Sequence, residues 1–137
     1  MMGWGGWRPR IGRTNTLAAL TLLALALPAG CRDAEGREPN YVVPGGNVSR
    51  GKVAISTFGC GACHTIPGVA DAKGTVGPPL MFWSKRTYIA GEVPNTPDFL
   101  VRWIEVPQAI EPGTAMPNLG VPEGAARDIA AYLYTLH

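Results

Sequence analysis

Five consecutive positions, Cys60-Gly61-Ala62-Cys63-His64, constrain this chain more than any other part of it. Two thiols three positions apart, followed at once by an imidazole, form the C-x-x-C-H pattern through which a haem is attached covalently. The spacing has a chemical reason. Thiols so placed reach the two vinyl groups on one edge of a porphyrin and form thioethers. The next residue then sits under the iron and ligates it through its imidazole. Gly59, Gly61 and Ala62 are small, so the backbone can pass close to the ring edge. Rival readings of the same residues fare worse. A redox dithiol would accompany a thioredoxin-like βαβ pattern, which the sequence lacks. A structural zinc site needs four ligands, and the chain has two histidines and three cysteines, one of them far off at Cys31. A plain disulfide between Cys60 and Cys63 is compatible with an exported protein, but it leaves His64 without a role.

The rest of the chain is short for the task. Its 137 residues allow one domain. Hydrophobic residues make up 46% and charged ones 16%, enough for a core and unlike a disordered acidic or basic chain. Thirteen prolines and 18 glycines predict short elements and much loop. The formal charge of +2 misleads, because Arg8, Arg10 and Arg13 all precede the first apolar run. After Cys31 nine Lys and Arg face ten Asp and Glu, a net of −1. That balance excludes a basic nucleic-acid footprint.

Residues 1–31 read as a leader. Three arginines precede the apolar run Leu17–Leu27, and small residues follow, the order of a secretory signal. The run is about half of the ~20 residues a spanning helix needs. The end, Leu27-Pro28-Ala29-Gly30-Cys31, resembles a bacterial lipobox, in which the cysteine is acylated and becomes the mature N-terminus. Pro28 departs from that pattern, where an aliphatic residue is usual. Lipidation of Cys31 is the expectation; a soluble exported form and an uncleaved N-terminal anchor are the alternatives. Residues 32–48 mix charge, Pro and Gly without a helical period and read as a flexible tether of roughly 20–25 Å.

Three helices are expected in 49–137. The first starts at Ser49 as N-cap and runs to about Phe58, with Gly51, Ile55 and Phe58 on one face. Thr96-Pro97-Asp98 starts the second, whose stripe is Phe99, Leu100, Trp103 and Ile104 and which Pro107 stops. The third covers about 122–136, with Ala126, Ile129, Ala130, Leu133 and Leu136 on one face. Residues 65–95 show no strand ladder. A loop of that length in a compact domain normally wraps something, and a cofactor is the natural filling.

From Ser49 onward the chain resembles the class I mono-haem cytochromes c: an all-α fold of three main helices and long loops wrapped around one covalent haem c. The resemblance rests on Cys60–His64, on Gly77-Pro78-Pro79-Leu80, on Pro112-Gly113-Thr114-Ala115-Met116-Pro117 and on a last helix containing Ile129-Ala130-Ala131-Tyr132-Leu133. It implies that Pro78 accepts the His64 Nδ1 proton through its carbonyl and that Leu80 packs on the haem. It makes Met116 the sixth ligand, through its thioether. Met1 and Met2 lie in the leader, and Met81 directly follows the proximal segment. His137 is expected to be exposed and inert. The resemblance further implies haem packing by Leu100 and Trp103, a propionate contact from Arg86, and propionate hydrogen bonds from Tyr88 and Thr114. A surface role for Arg86 stays open. Gly51 and Tyr132 match the place where first and last helices cross.

With both axial positions filled no site is open for substrate, so the resemblance implies a single-electron carrier and not an enzyme on a small molecule. An unbound Met116 would leave an open face for peroxide or gas chemistry. The expected redox partner is a membrane respiratory complex, a terminal oxidase or a quinol-oxidising complex, met on the periplasmic side of a bacterial membrane. Whether the domain shuttles or is a fixed subunit of such a complex is left open by the tether.

Overall fold

The computed structural model describes residues 41–137, all within one compact unit, Arg37–His137. The expected leader, Cys31 and residues 32–40 of the tether lie outside the described residues.

Helix α1 spans Val48–Thr57. Its cap is Asn47 and not Ser49. Asn47 is extended, and its side-chain Oδ1 accepts the Arg50 N–H at 2.9 Å. The Asn47 N–H is itself held by Asp128 Oδ1 at 2.7 Å, so tertiary structure chose between two good capping residues. Residues 41–48 are not tether. Val43 is buried in the core, and the Tyr41 ring lies 4.7 Å from that of Tyr134. Two apolar side chains in a polar stretch are enough to dock it, which composition averaged over the segment conceals.

Helix α2 spans Pro97–Glu105, with extended Thr96 before it. The Thr96 hydroxyl makes no capping bond; its carbonyl accepts Leu100 N–H at 2.9 Å. The buried face is Leu100, Val101 and Ile104, while Phe99 is exposed. The expected stripe is thus rotated by about one residue, because α2 packs on the last helix along one side and leaves Trp103 half-buried on the other.

Helix α3 spans Glu123–Leu133 and stops three residues early. The last turn tightens: Thr135 and Leu136 N–H groups bond the Tyr132 and Leu133 carbonyls at 3.0 Å, and the Ser84 N–H and hydroxyl hold the Leu136 carbonyl at 3.1 and 2.9 Å. His137 is exposed but not idle, since its Nδ1 lies 2.9 Å from Ser84 Oγ.

The most extensive helix contact is α1 on α3. A Cβ on Gly51 would fall 1.9 Å from the Asp128 carbonyl oxygen and 3.0 Å from Tyr132 Cβ, so the crossing requires glycine. Arg50 closes it with a two-pronged ion pair to Asp128, at 2.7 and 2.8 Å. The long 65–95 segment does hold a minimal antiparallel pair, β1 (Tyr88–Ile89) with β2 (Val93–Pro94), and a single bridge Thr65–Lys73. Two-residue strands are too short to leave a period in the sequence. Among the described residues no helix is long and apolar enough to cross a membrane.

Candidate haem site

The three helices and the 65–95 loop surround a cavity of about 380 Å³. Ile55 of α1, Leu100, Trp103 and Ile104 of α2, and Ile129 and Leu133 of α3 give it an apolar wall. Cys60, Cys63, His64, Pro78, Leu80, Arg86, Tyr88, Thr114 and Met116 line the same space. Every cofactor-facing residue expected from the sequence therefore meets at one cavity. A second hollow, along α1 from Ser49 to Phe58, is a shallow surface depression with no thiol or imidazole in its wall.

The attachment segment is held by backbone. Gly59 is left-handed at φ 69°, which ends α1 and turns the chain into the short 3₁₀ turn Cys60–Ala62. His64 N–H then bonds the Cys60 carbonyl at 3.0 Å. Gly74 N–H bonds Gly61, Gly77 N–H bonds Cys63 and Leu80 N–H bonds Thr65, at 3.0, 2.8 and 2.8 Å. Those three bonds lace the loop back across the motif. They bring the Pro78 carbonyl 2.7 Å from His64 Nδ1. A carbonyl only accepts, so Nδ1 carries the proton and Nε2 keeps the lone pair that a metal would take. Burial pushes the Cys60 thiol up from its ordinary value.

Gly77 does more than turn the chain. A Cβ there would lie 2.3 Å from His64 Cε1 and 2.7 Å from Nδ1, so the imidazole has its place because residue 77 has no side chain. Its presence in the Gly-Pro-Pro-Leu motif was the visible signal; the steric reason was not.

The other wall joins Arg86, Tyr88 and Thr114 to residues that the sequence did not single out. Trp83 is buried, lines the cavity, and its indole Nε1 has no hydrogen-bond partner among the described residues. An unpaired buried N–H costs about 1–3 kcal/mol, so it calls for an acceptor that the described residues do not provide. Arg86 lies over the Trp83 ring, 4.8 Å from its centroid, and donates to the Pro79 carbonyl. Burial lowers the Arg86 pKa. Buried Asn95 holds this stretch by donating to the Trp83 and Arg86 carbonyls at 3.1 and 3.0 Å, and the Tyr134 hydroxyl donates to Asn95 Oδ1 at 2.9 Å. Desolvation, and secondarily Tyr41, drive the Tyr134 pKa far above its ordinary value, so it stays a neutral donor. Nothing in the spacing separated Trp83 or Asn95 from ordinary core. Tyr88 is exposed at the cavity, and Thr114 Oγ1 accepts the Met116 N–H at 3.2 Å, leaving its own proton to donate.

An apolar slot with thiols, an imidazole and a thioether in its wall, one unpaired buried N–H and one guanidinium suits a flat apolar group bearing a metal and carboxylates. A haem meets that description, and when bound it supplies a reversible one-electron change at its iron.

No family model and no solved structure matches the chain. Cytochrome c2 of Rhodopila globiformis is 37% identical over 108 residues, spanning 68% of this chain and 96% of that protein. Cytochrome c oxidase subunit 2 of Alkalihalophilus pseudofirmus is 28% identical over 100 residues, or 73% of this chain. The chain spans only 27% of that second protein's length. Because the first likeness runs almost from end to end of a small cytochrome, this chain belongs to the class I cytochromes c, as a haem c electron-transfer protein rather than a catalytic enzyme.

Proposed function

We propose that one haem c is held through thioethers to Cys60 and Cys63, with His64 and Met116 as its two axial ligands, and that the 65–95 loop wraps it. The observation that carries this reading is the convergence of both cysteines, His64 and Met116 on a single cavity, with His64 Nδ1 already bonded to the Pro78 carbonyl. Leu80, Leu100 and Trp103 then pack on the ring. Arg86, Tyr88 and Thr114, joined by the unpaired Trp83 N–H, face its carboxylates. A thioether in the sixth position raises the reduction potential and leaves no open coordination site, which suits an electron carrier in the high-potential part of a respiratory chain.

The redox partner in this reading is a terminal oxidase or a quinol-oxidising complex. The similarity to an oxidase subunit over 73% of the chain favours the former. Residues 1–31 act as an export leader, Cys31 carries the lipid anchor, and the tether is the short stretch before Tyr41. That arrangement holds the domain on the periplasmic side of a bacterial membrane.

The ligand set is tested by the spectrum of the oxidised protein. A weak far-red sulfur-to-iron band is expected, and its loss in Met116→Ala; a band that survives that change removes Met116. Mass spectrometry of membrane-extracted protein should begin at an acylated Cys31, and an unmodified chain starting elsewhere removes the anchor.

A further inference from the structure

The segment that carries Met116 is tied down very sparingly. Pro107 and Val121 are buried at its two ends, while Pro112, Gly113, Ala115, Pro117, Asn118, Leu119 and Gly120 are exposed. Its first half closes on itself: Ile110 and Glu111 N–H groups bond the Pro107 carbonyl at 3.0 Å, and Thr114 N–H bonds Glu111 at 3.1 Å. From Ala115 to Val121, among the described residues, no backbone group bonds another backbone group. Met116 is held by side chains instead. Thr114 Oγ1 takes its N–H, and Gln108 Nε2 donates to its carbonyl at 2.8 Å. Thr114 is two residues away and moves with Met116. Gln108 belongs to the 3₁₀ turn Pro107–Ala109, which buried Pro107 anchors against the core. The Gln108 bond is therefore the direct polar link between Met116 and a fixed part of the fold, beside the longer path through Thr114 and Glu111.

Gln108 is exposed and outside the core cluster, so packing gives it no other task. Only its amide nitrogen can face a carbonyl, which fixes the orientation of the side chain. A thioether is a neutral, weak donor to iron, and its hold depends on how well the loop presents it.

We infer that Gln108 is a positioning residue for Met116: its amide pins the Met116 carbonyl, keeps the thioether presented to the haem iron and keeps that face closed. The inference rests on the reading of Met116 as ligand. Losing one partly exposed hydrogen bond changes the ratio of closed to open loop by about two- to tenfold.

The test uses the full, haem-loaded chain with Gln108→Leu, which keeps the bulk without the donor, and Gln108→Arg, which keeps a donor. Carbon monoxide, binding reduced haem only where the thioether has left, reports the open state. Gln108→Leu should bind it about two- to tenfold more tightly and lose the far-red band at a lower temperature, while helix unfolding is unmoved. Gln108→Arg should behave nearly as the unaltered protein. A Leu variant with unchanged gas affinity overturns the inference, and so does an Arg variant loosened as much as Leu, since bulk rather than the donor would then matter. An unaltered protein without the band removes the Met116 reading itself, a failure distinct from either.

Discussion

The two sides of the cavity are built by different means. From Gly59 to Leu80 the chain is laced by backbone hydrogen bonds, and glycines at 61, 74 and 77 bring main chain and imidazole into contact. A Cβ at those three positions would come within 2.7, 2.4 and 2.3 Å of a neighbour. From Pro107 to Val121 the loop is open, its one central glycine, Gly113, would meet nothing closer than the Glu111 carboxylate at 3.1 Å, and side-chain bonds do the holding. The first region is held by many backbone bonds and close contacts; the second is held at few points. In the proposed ligation that division is sensible: the His64 imidazole must keep its place between redox states, and the loop must keep the Met116 sulfur in reach.

The sharpest way to break the contrast is to add the same methyl group on each side. Gly77→Ala must push the His64 ring or its own backbone aside, and is expected to cost on the order of 3 kcal/mol and most of the haem incorporation. Gly113→Ala meets only the end of a flexible side chain, and should change stability by less than about 1 kcal/mol with haem content kept. Haem content from the absorbance ratio and a denaturant titration read both. Equal losses would mean that the two regions are equally rigid.

Trp83→Phe probes the wall between them. It keeps a ring and deletes the unpaired N–H. In the proposed haem-bound site, loss of this donor to a carboxylate raises that group's pKa. The midpoint potential should then gain a pH dependence nearer neutrality, measured by redox titration at several pH values. A flat profile identical to that of the unaltered protein would place the carboxylates elsewhere.

The smallest effect concerns the scaffold from which both regions hang. The Arg50 guanidinium, with help from the Asn47 N–H, holds the Asp128 carboxyl below the usual carboxylate range. A depressed folded pKa contributes stability above the unfolded value, about 3.9, which is lost as pH falls through the folded one. Stability should therefore decline on acidification, and Asp128→Asn should flatten part of that decline and shift haem content and the far-red band together. A change in one alone would show that the α1–α3 crossing serves only one side of the cavity.

Much of this was legible in the chain itself. C-x-x-C-H, Gly-Pro-Pro-Leu and Pro-Gly-Thr-Ala-Met are local in sequence because the chemistry is local, and eleven separately chosen residues meet at one cavity. Helix existence followed from apolar period. Helix edges did not: Asn47 displaced Ser49 because Asp128, 81 positions away, fixes its N–H, and α3 ends in a tightened turn whose Leu136 carbonyl Ser84 holds. The sequence alone thus determined which residues meet at the cavity and roughly what lies between them. Only the tertiary structure decided that Trp83 lacks an acceptor, that Asn95 and Tyr134 hold its segment, that Tyr41 and Val43 belong to the domain, and that Gln108 reaches Met116. Each of those depends on a partner distant in the chain or on a hydrogen bond's direction, and neither leaves a period or a motif to be read.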